Sequence, residues 1–399
     1  MKTPVLHLLK DQERRLLAGH CWVYSNEVDV QSTPLKDFEP GATATIVSHS
    51  GRWLGFGHVN PRSLICARLI SREPSRPPGS ALWIERIKAA LALRERLYPD
   101  PFYRLVHGEG DGLPGLVVDR YADLLVMQIS TAGMERERAG IVTALEQVVR
   151  PRAILMRNDI AVRDLEGLEQ SVEPLLGNVP ETLDLSERGV RYLVSPQTGQ
   201  KTGWFFDQAE NRDRLRRFGP AKRVLDVCCY TGAWGLQAAA LGAEQVTCVD
   251  NSQTALDRLL ENAERNQVAN RIHPLRGEAF TTLRSLREAG ESFDLVILDP
   301  PAFIKRRKDL REGTLAYQRL NRLGLEVLAP GGLLATSSCS FHLSAEALLG
   351  CVQAAARRTG RGLQLLASGQ QGPDHPIHPA IPETAYLKHF VLRALPFPF

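Results

Sequence analysis

Two stretches in the second half of the chain hold residue types able to do covalent chemistry. One is Val224-Leu225-Asp226-Val227-Cys228-Cys229-Tyr230-Thr231-Gly232-Ala233-Trp234-Gly235. The other is Asp299-Pro300-Pro301-Ala302-Phe303, followed later by Ser337-Ser338-Cys339-Ser340. The first has the pattern of a strand, a tight loop and a helix start that could cradle a nucleoside cofactor. The second puts a carboxylate at one strand end and a thiol at the next. A methyl donor beside a nucleophile is the combination needed to methylate a pyrimidine ring carbon.

Carbon 5 of cytosine or uracil is itself a poor nucleophile. Thiolate addition at carbon 6 creates an enamine-like centre that can attack a sulfonium methyl, after which a base must take the carbon 5 proton. Cys339 follows Pro330-Gly331-Gly332 and the run Leu333–Ser337, so it falls at the carboxyl end of a strand. A reduced cysteine is commonly a packed structural residue, but the Ser-Ser-Cys-Ser context favours a nucleophile. Cys228 and Cys229 are rivals, placed to line the cofactor loop. Cys21, Cys66, Cys248 and Cys351 have the surroundings of packing residues.

The cofactor loop lacks the GxGxxG spacing of a nicotinamide site and keeps only Gly232 and Gly235. Close backbone contact with a pyrophosphate is therefore not expected. Asp250 ends the next strand, where an acid can bond a ribose diol. Glu278 and Ala279 follow the third strand, where an adenine edge could be read. Each acid alone is equally a helix N-cap or a solvated strand end. Acids at successive strand ends make a shared site the better expectation. Asp299-Pro300-Pro301 stiffens the loop beyond a fourth, apolar strand, on the edge where ligands bind in such sheets.

Basic residues cluster at Arg212, Arg214, Arg216, Arg217, Lys222 and Arg223, and again at Lys305-Arg306-Arg307-Lys308. The second run adjoins the Asp-Pro-Pro loop, so phosphate contact is expected there. Phe303 could stack on an extruded base or serve as a hydrophobic plug.

These segments need a scaffold. From about residue 187 the chain alternates strands (Val224–Val227, Gln245–Val249, Ile272–Leu275, Leu295–Leu298, Leu333–Ser337) with helices. That rhythm predicts an α/β domain with a doubly wound, mostly parallel, Rossmann-like sheet over 187–399. Residues 1–75 carry the pattern of a small β domain, with Ala42–Val47 and Trp53–Gly57 forming a hairpin. Residues 76–186 hold a linker helix (Ala81–Leu97) and a small α+β module. In that module two strands, a helix near Met134–Val149 and two further strands are expected. The 399 residues, 43% hydrophobic, suffice for packed cores, and a net charge of +4 agrees only weakly with a polyanionic partner. Seven cysteines without a CxxC pair suggest reduced thiols, no metal site and a cytoplasmic location. Met1 to Arg15 does not have the pattern of a signal peptide, and no run is long enough to span a membrane.

Longer strings carry a resemblance. Gly51-Arg52-Trp53-Leu54-Gly55-Phe56-Gly57-His58-Val59-Asn60-Pro61, the string from Arg104 to Gly115, and Gln200 to Gln208 with Glu210-Asn211-Arg212 resemble the RlmI-like 5-methylcytosine methyltransferases of bacterial large-subunit rRNA. The first string is similar to that family's PUA RNA-binding domain. The resemblance implies S-adenosylmethionine as cofactor, large-subunit rRNA as partner, and Cys339 as the attacking thiol. It implies that Asp226, Cys228, Tyr230, Thr231, Gly232, Asp250, Glu278, Ala279 and Asp299 surround the cofactor and target base. Relatives often pair, so a homodimer is a possible assembly. Two departures stand out. Gly277-Glu278 replaces the family's aspartate pair. Asp299-Pro300-Pro301-Ala302 lacks the second thiol of two-cysteine cytosine methyltransferases, which leaves the final base among His342, His375 and Asp299. A carbon-5 uridine enzyme, an amino-group RNA methyltransferase (normally Asn-Pro-Pro-Tyr) and a non-catalytic RNA-binding protein are the alternatives.

Overall fold

The structure is a computed structural model and describes residues 3–397. Two compact units divide the chain. The first comprises the chain up to Leu183 with Val194–Phe206 and Pro373–Thr384. The second comprises Asp184–Leu193, Asp207–Gly372 and the chain from Ala385 onward.

In the first unit, one five-stranded sheet runs in the order Val5–His7, Ala42–Val47, Trp53–Val59, Ala67–Ser71, Trp22–Val23. The expected hairpin is present, with Thr45 opposite Phe56. Gly55 and Gly57 admit close strand packing: a Cβ on Gly55 would stand 2.4 Å from the Ser71 carbonyl oxygen. A second five-stranded sheet runs Val172–Leu176, Ala153–Arg157, Leu124–Ile129, Leu116–Tyr121, Phe102–His107. Phe102–His107 goes beyond the sequence expectation, and the expected helix is two, Ala132–Arg136 and Arg138–Val149. Glu137, at the break, accepts a hydrogen bond from Trp83 Nε1 at 3.0 Å. Pro373–Thr384, from the far end of the sequence, joins this unit through Asp374. Asp374 accepts from Arg104 N (2.9 Å), and its carbonyl accepts from the buried Arg94, itself bidentate to Asp111.

The second unit is built on a seven-stranded sheet. Its strands are β1 (Arg223–Val227), β2 (Gln245–Asp250), β3 (Ile272–Arg276), β4 (Phe293–Leu298), β5 (Leu328–Ser338), β6 (Leu363–Gly369) and β7 (Lys388–Ala394). The order is β3-β2-β1-β4-β5-β7-β6. β1 to β5 are parallel; β7 is antiparallel to both β5 and β6. Sequence periodicity predicts the five parallel strands. β6 and β7 were not expected: β6 is a half-exposed edge and β7 opens on two polar residues.

The helices are α1 (Ala233–Ala240), α2 (Gln253–Arg265), α3 (Ala279–Glu288), α4 (Leu310–Glu326) and α5 (Ala345–Arg358). Strand alternation sorts the faces. Leu225, Val227, Val249, Val296 and Leu298 share one core with Leu283 of α3, Leu320 and Leu323 of α4 and Val352 of α5. Asp226, Val246 and Cys248 have the opposite parity and meet α1. A Cβ on Gly235 there would lie 2.7 Å from Cys248 Sγ. The strand order reverses between β1 and β4, so the crevice for a ligand opens at their carboxyl ends.

Candidate active site

The β1–α1 loop is held in an unusual backbone shape. Cys228 (φ 64°), Tyr230 (φ 51°) and Gly232 (φ 89°) all have left-handed dihedrals. Two of them are not glycine, and each such residue costs about 1 kcal/mol or more. Hydrogen bonds from the β2 end sustain the shape. The N–H groups of Cys228 and Cys229 both donate to the Val249 carbonyl, at 2.9 and 3.0 Å. Tyr230 N–H donates to Asp250 Oδ2 at 2.9 Å, and Asp250 Oδ1 accepts from Ser252 N–H at 2.9 Å. Glycine at 232 is required for space as well, since a Cβ there would fall 2.2 Å from Leu259 Cδ1.

Asp226 lies under this loop, fully buried. Its Oδ2 accepts from Gly235 N–H at 2.9 Å, while Oδ1 is buried with no hydrogen-bond partner. Burial pushes its carboxyl up to about 7. The Gly235 bond opposes that, and the charges of Asp299 and Asp250 add to it. Thr231 Oγ1 is a second buried polar atom without a partner. Two unsatisfied polar atoms and three carboxylates around a strained loop suit a ligand that brings hydrogen-bond donors and positive charge. S-adenosylmethionine, with a sulfonium, an ammonium and a ribose diol, fits that set. Asp226, Thr231 and Gly232 would hold one part of it and Asp250 another.

Glu278 has a local duty. It is the N-cap of α3, accepting from the N–H groups of Phe280 (3.1 Å) and Thr281 (2.9 Å). Partial burial raises its pKa, but these bonds outweigh burial and hold it below the usual glutamate value. The capping role, one of the two expectations for this acid, is thus present, and Ala279 is the first residue of the helix.

Asp299 follows β4 and is oriented from two distant stretches. Gln208 Nε2 donates to Oδ1 at 2.8 Å and Trp234 Nε1 to Oδ2 at 3.0 Å. Trp234 stacks on His389 of β7, with ring centroids 5.4 Å apart. His389 Nδ1 lies 2.9 Å from Ser337 Oγ. Neither Gln208 nor Trp234 has an assigned role in the sequence reading. The available signal was a tryptophan on the first turn after the cofactor loop.

Cys339 stands immediately after β5 and is partly exposed. Leu298 is level with Thr336, which places Asp299 level with Ser337 and Cys339 two residues, or about 7 Å, farther along the strand direction. The serines beside it are buried and anchor the turn. Ser340 Oγ lies 2.9 Å from the Tyr317 hydroxyl of α4 and accepts from Ile304 N–H at 3.1 Å. Lys388 Nζ of β7 donates to the Ser340 carbonyl at 2.6 Å. The rival thiols have other fates. Burial, then the carboxylates of Asp250, Asp299 and Asp226, pushes Cys228 up to about 12. A hydrogen bond with Cys248, then burial, raises Cys229 well above the ordinary thiol range.

His375 is buried, with Nδ1 2.8 Å from Asp374 Oδ1 and its ring 5.0 Å from that of His107. In the basic cluster before β1, Arg212 is buried and bidentate to Glu187 (2.6 Å twice), Arg214 bonds the Ser368 carbonyl and Arg223 pairs with Glu291, while Arg216, Arg217 and Lys222 are exposed. His342 is half-buried beside Phe341. Lys305, Arg306, Arg307 and Lys308 are exposed, Arg306 also meeting Asp309 at 3.4 Å. Phe303 packs against Tyr317 (4.7 Å) and Phe280 (5.9 Å) yet is not fully buried. Among the described residues no group of three or more His, Cys, Asp or Glu could hold a metal, and no helix is long and apolar enough to cross a membrane.

Comparison with known proteins shows the family and the fold. A family model for S-adenosylmethionine-dependent methyltransferases matches residues 103–392, and one for PUA-like domains matches residues 6–72. The chain is 37% identical over 397 residues to ribosomal RNA large subunit methyltransferase I of Salmonella arizonae, covering 98% of each chain. It is 36% identical to the protein of the same name from Escherichia coli, covering 98% of this chain and 99% of that one. Among solved structures it is similar to a protein from Streptococcus mutans described as an S-adenosylmethionine-dependent methyltransferase. The identity is 21% and the TM-score 0.82, covering 98% of this chain and 100% of that one. A methyltransferase structure complexed with S-adenosylhomocysteine has 22% identity and a TM-score of 0.83, with the same coverage.

Proposed function

This chain belongs to the family of S-adenosylmethionine-dependent methyltransferases, and we propose that it methylates carbon 5 of a cytosine in large-subunit ribosomal RNA through an adduct at Cys339. The observation that carries the proposal is the placement of the thiols at the crevice: Cys339 is partly exposed just past β5, whereas Cys229 is buried and Cys228, also partly exposed, lies in the β1–α1 loop, where burial and then the carboxylates keep it protonated.

S-adenosylmethionine supplies an electrophilic methyl group. Cys339, as thiolate, bonds to carbon 6 of the base and pushes the ring electron pair onto carbon 5. Carbon 5 would thereby bond to the methyl group, and loss of the carbon 5 proton to a base then lets the sulfur–carbon 6 bond break. Asp299, fixed by Gln208 and Trp234, borders the target base. The loop reads Asp299-Pro300-Pro301-Ala302 rather than Asn-Pro-Pro-Tyr, which argues against the amino-group alternative, where an amide must orient an exocyclic amine. The exposed run Lys305–Lys308 contacts RNA phosphates beside the crevice, with Phe303 next to it. Ribosomal RNA as substrate implies a cytoplasmic enzyme, and pairing of two copies belongs to the same reading.

The test is methyl transfer from labelled S-adenosylmethionine to large-subunit rRNA of cells lacking this protein, followed by mass analysis of nucleosides. The wild type should yield 5-methylcytidine and Cys339→Ala none. Full transfer by that variant would overturn the nucleophile assignment; 5-methyluridine or an N-methylated product would overturn the base or the atom.

A further inference from the structure

Lys388 is a buried lysine in a strand, 8% exposed, where lysine is seldom found without a partner. It is level with Ser338 across the β5–β7 ladder, one residue from Cys339 in sequence. Its Nζ donates to the Ser340 carbonyl at 2.6 Å and to the Tyr386 carbonyl at 2.8 Å. Two carbonyl acceptors suit either state of the amine. An ammonium has a third N–H left over; a neutral amine has its lone pair in that place. The position can therefore give or take a proton without disturbing the other two bonds.

We propose that Lys388 is the proton partner of Cys339, taking the S–H proton so that the thiol acts as a thiolate. This rests on the reading of Cys339 as nucleophile and deepens it. In the step, the Cys339 S–H bond breaks and an N–H bond forms at Nζ, converting thiol and amine into thiolate and ammonium. The proton returns to sulfur when the sulfur–carbon 6 bond later breaks. Burial pulls Lys388 down to about 8, and the nearby Cys339 charge pulls it back up, so the amine exchanges its proton near neutral pH.

Other titratable and charged groups surround the pair. Tyr317 of α4 is raised first by burial and also by the Cys339 charge, while its bonds to Ser338 and Ser340 work the other way. Asp299 stands at the β4 end. Tyr386 donates its hydroxyl to Asp207 Oδ2 at 2.7 Å. His389 is held neutral, near 3, by burial and then by Arg214.

The experiment is alkylation of the full-length protein by iodoacetamide from about pH 6 to about pH 10, with the Cys339 peptide quantified by mass spectrometry. The wild-type rate profile should have its midpoint below the ordinary thiol value of about 8.5. Lys388→Met should raise the midpoint and slow labelling at neutral pH about 10-fold or more, the rate following the thiolate fraction. Lys388→Arg keeps the charge but cannot take up a proton; full restoration of the wild-type labelling profile by this variant would show that charge alone ionises the thiol and would refute proton transfer to Lys388. A wild-type midpoint at or above 8.5, or a Lys388→Met profile matching wild type, would refute the pairing. If neither variant folds, the wild-type midpoint decides alone. Methyl transfer by Cys339→Ala would instead remove the nucleophile and leave the measured thiol acidity standing, so the two failures are separable.

Discussion

Replacing Asp226 by Asn should flatten the pH dependence of stability in the second unit. The folded carboxyl titrates at about 7, against the ordinary aspartate value of 3.8 in an unfolded chain. Between those values the folded state keeps a proton that the unfolded state has released. Stability from this group is therefore complete below about pH 4 and is lost as pH rises through about 7. Each pH unit in that window is worth about 1.4 kcal/mol, so the interval spans about 4 kcal/mol. Two buried histidines act in the opposite direction. His58 and His389 are lowered, chiefly by burial, to about 4 and about 3, so they destabilise the fold as pH falls below their ordinary value of 6.5. The difference between wild type and variant removes their contribution. Asparagine keeps the acceptor that Gly235 N–H needs, so the variant should fold.

The assay is urea unfolding from about pH 5 to about pH 8, read by amide exchange in β1 so that the second unit is followed by itself. The stability of wild type minus that of Asp226→Asn should fall by about 3 kcal/mol between those limits and level off above pH 7. Affinity for S-adenosylmethionine should rise with pH over the same interval, because positive charge on the ligand favours the ionised carboxylate. Parallel stability curves for the two proteins would refute a protonated Asp226.

Gly232→Ala combines a left-handed φ with a methyl placed on Leu259; it should cost about 1–3 kcal/mol in thermal unfolding. Adding Leu259→Ala should remove the clash and leave the backbone strain. Changing Lys305, Arg306, Arg307 and Lys308 together to Gln should weaken RNA binding and reduce its salt slope by about 3, at about 0.7 per contact on single strands. Calorimetric binding of S-adenosylmethionine should be untouched, and an unaltered salt slope would place the RNA elsewhere. Arg212→Met leaves Glu187 buried without its partner and should cost about 3–5 kcal/mol, whereas the double change to Met at both positions should cost less; equal losses would remove the ion pair from the account.

The central parallel strands were legible because they are largely buried on both faces and mostly apolar, as in Leu295–Leu298, whereas the edge strand β3 is mostly exposed and was legible from the alternation of strands and helices. β7 was hidden for the opposite reason. Lys388 and His389 have the pattern of surface residues, yet they are buried because Ser337 and the Ser340 carbonyl, distant in sequence, and the nearby Tyr386 carbonyl supply their hydrogen bonds. The same blindness to tertiary partners made Arg212 resemble part of an RNA-binding cluster, when Glu187 neutralises it inside the unit. Asp226, Asp250, Asp299 and Cys339 could be placed from sequence, since strand ends in a doubly wound sheet converge on one edge. What orients them could not. Gln208 lies 91 residues from Asp299, and nothing local announces that contact.

Charge sorts the two halves of the crevice, and the sorting follows from the strand order. Asp226 near the end of β1, Asp250 at the end of β2 and Asp299 just past β4 add to burial, the larger cause, in raising the thiol of Cys228, and they favour a cationic ligand. A thiolate among those acids would be destabilised in the same way. β5 lies beyond β4, and on its far side the antiparallel β7 brings in Lys388. A sulfur at the β5 end is thus the one flanked by a lysine, while those at the β1 end are ringed by carboxylates. One sheet edge can then hold a cation and generate a nucleophilic anion without either charge working against the other. Moving the cysteine from 339 to 228 would surrender that separation. A Cys339→Ala protein that keeps Cys228 should therefore remain inactive even at about pH 9, where ordinary thiols ionise.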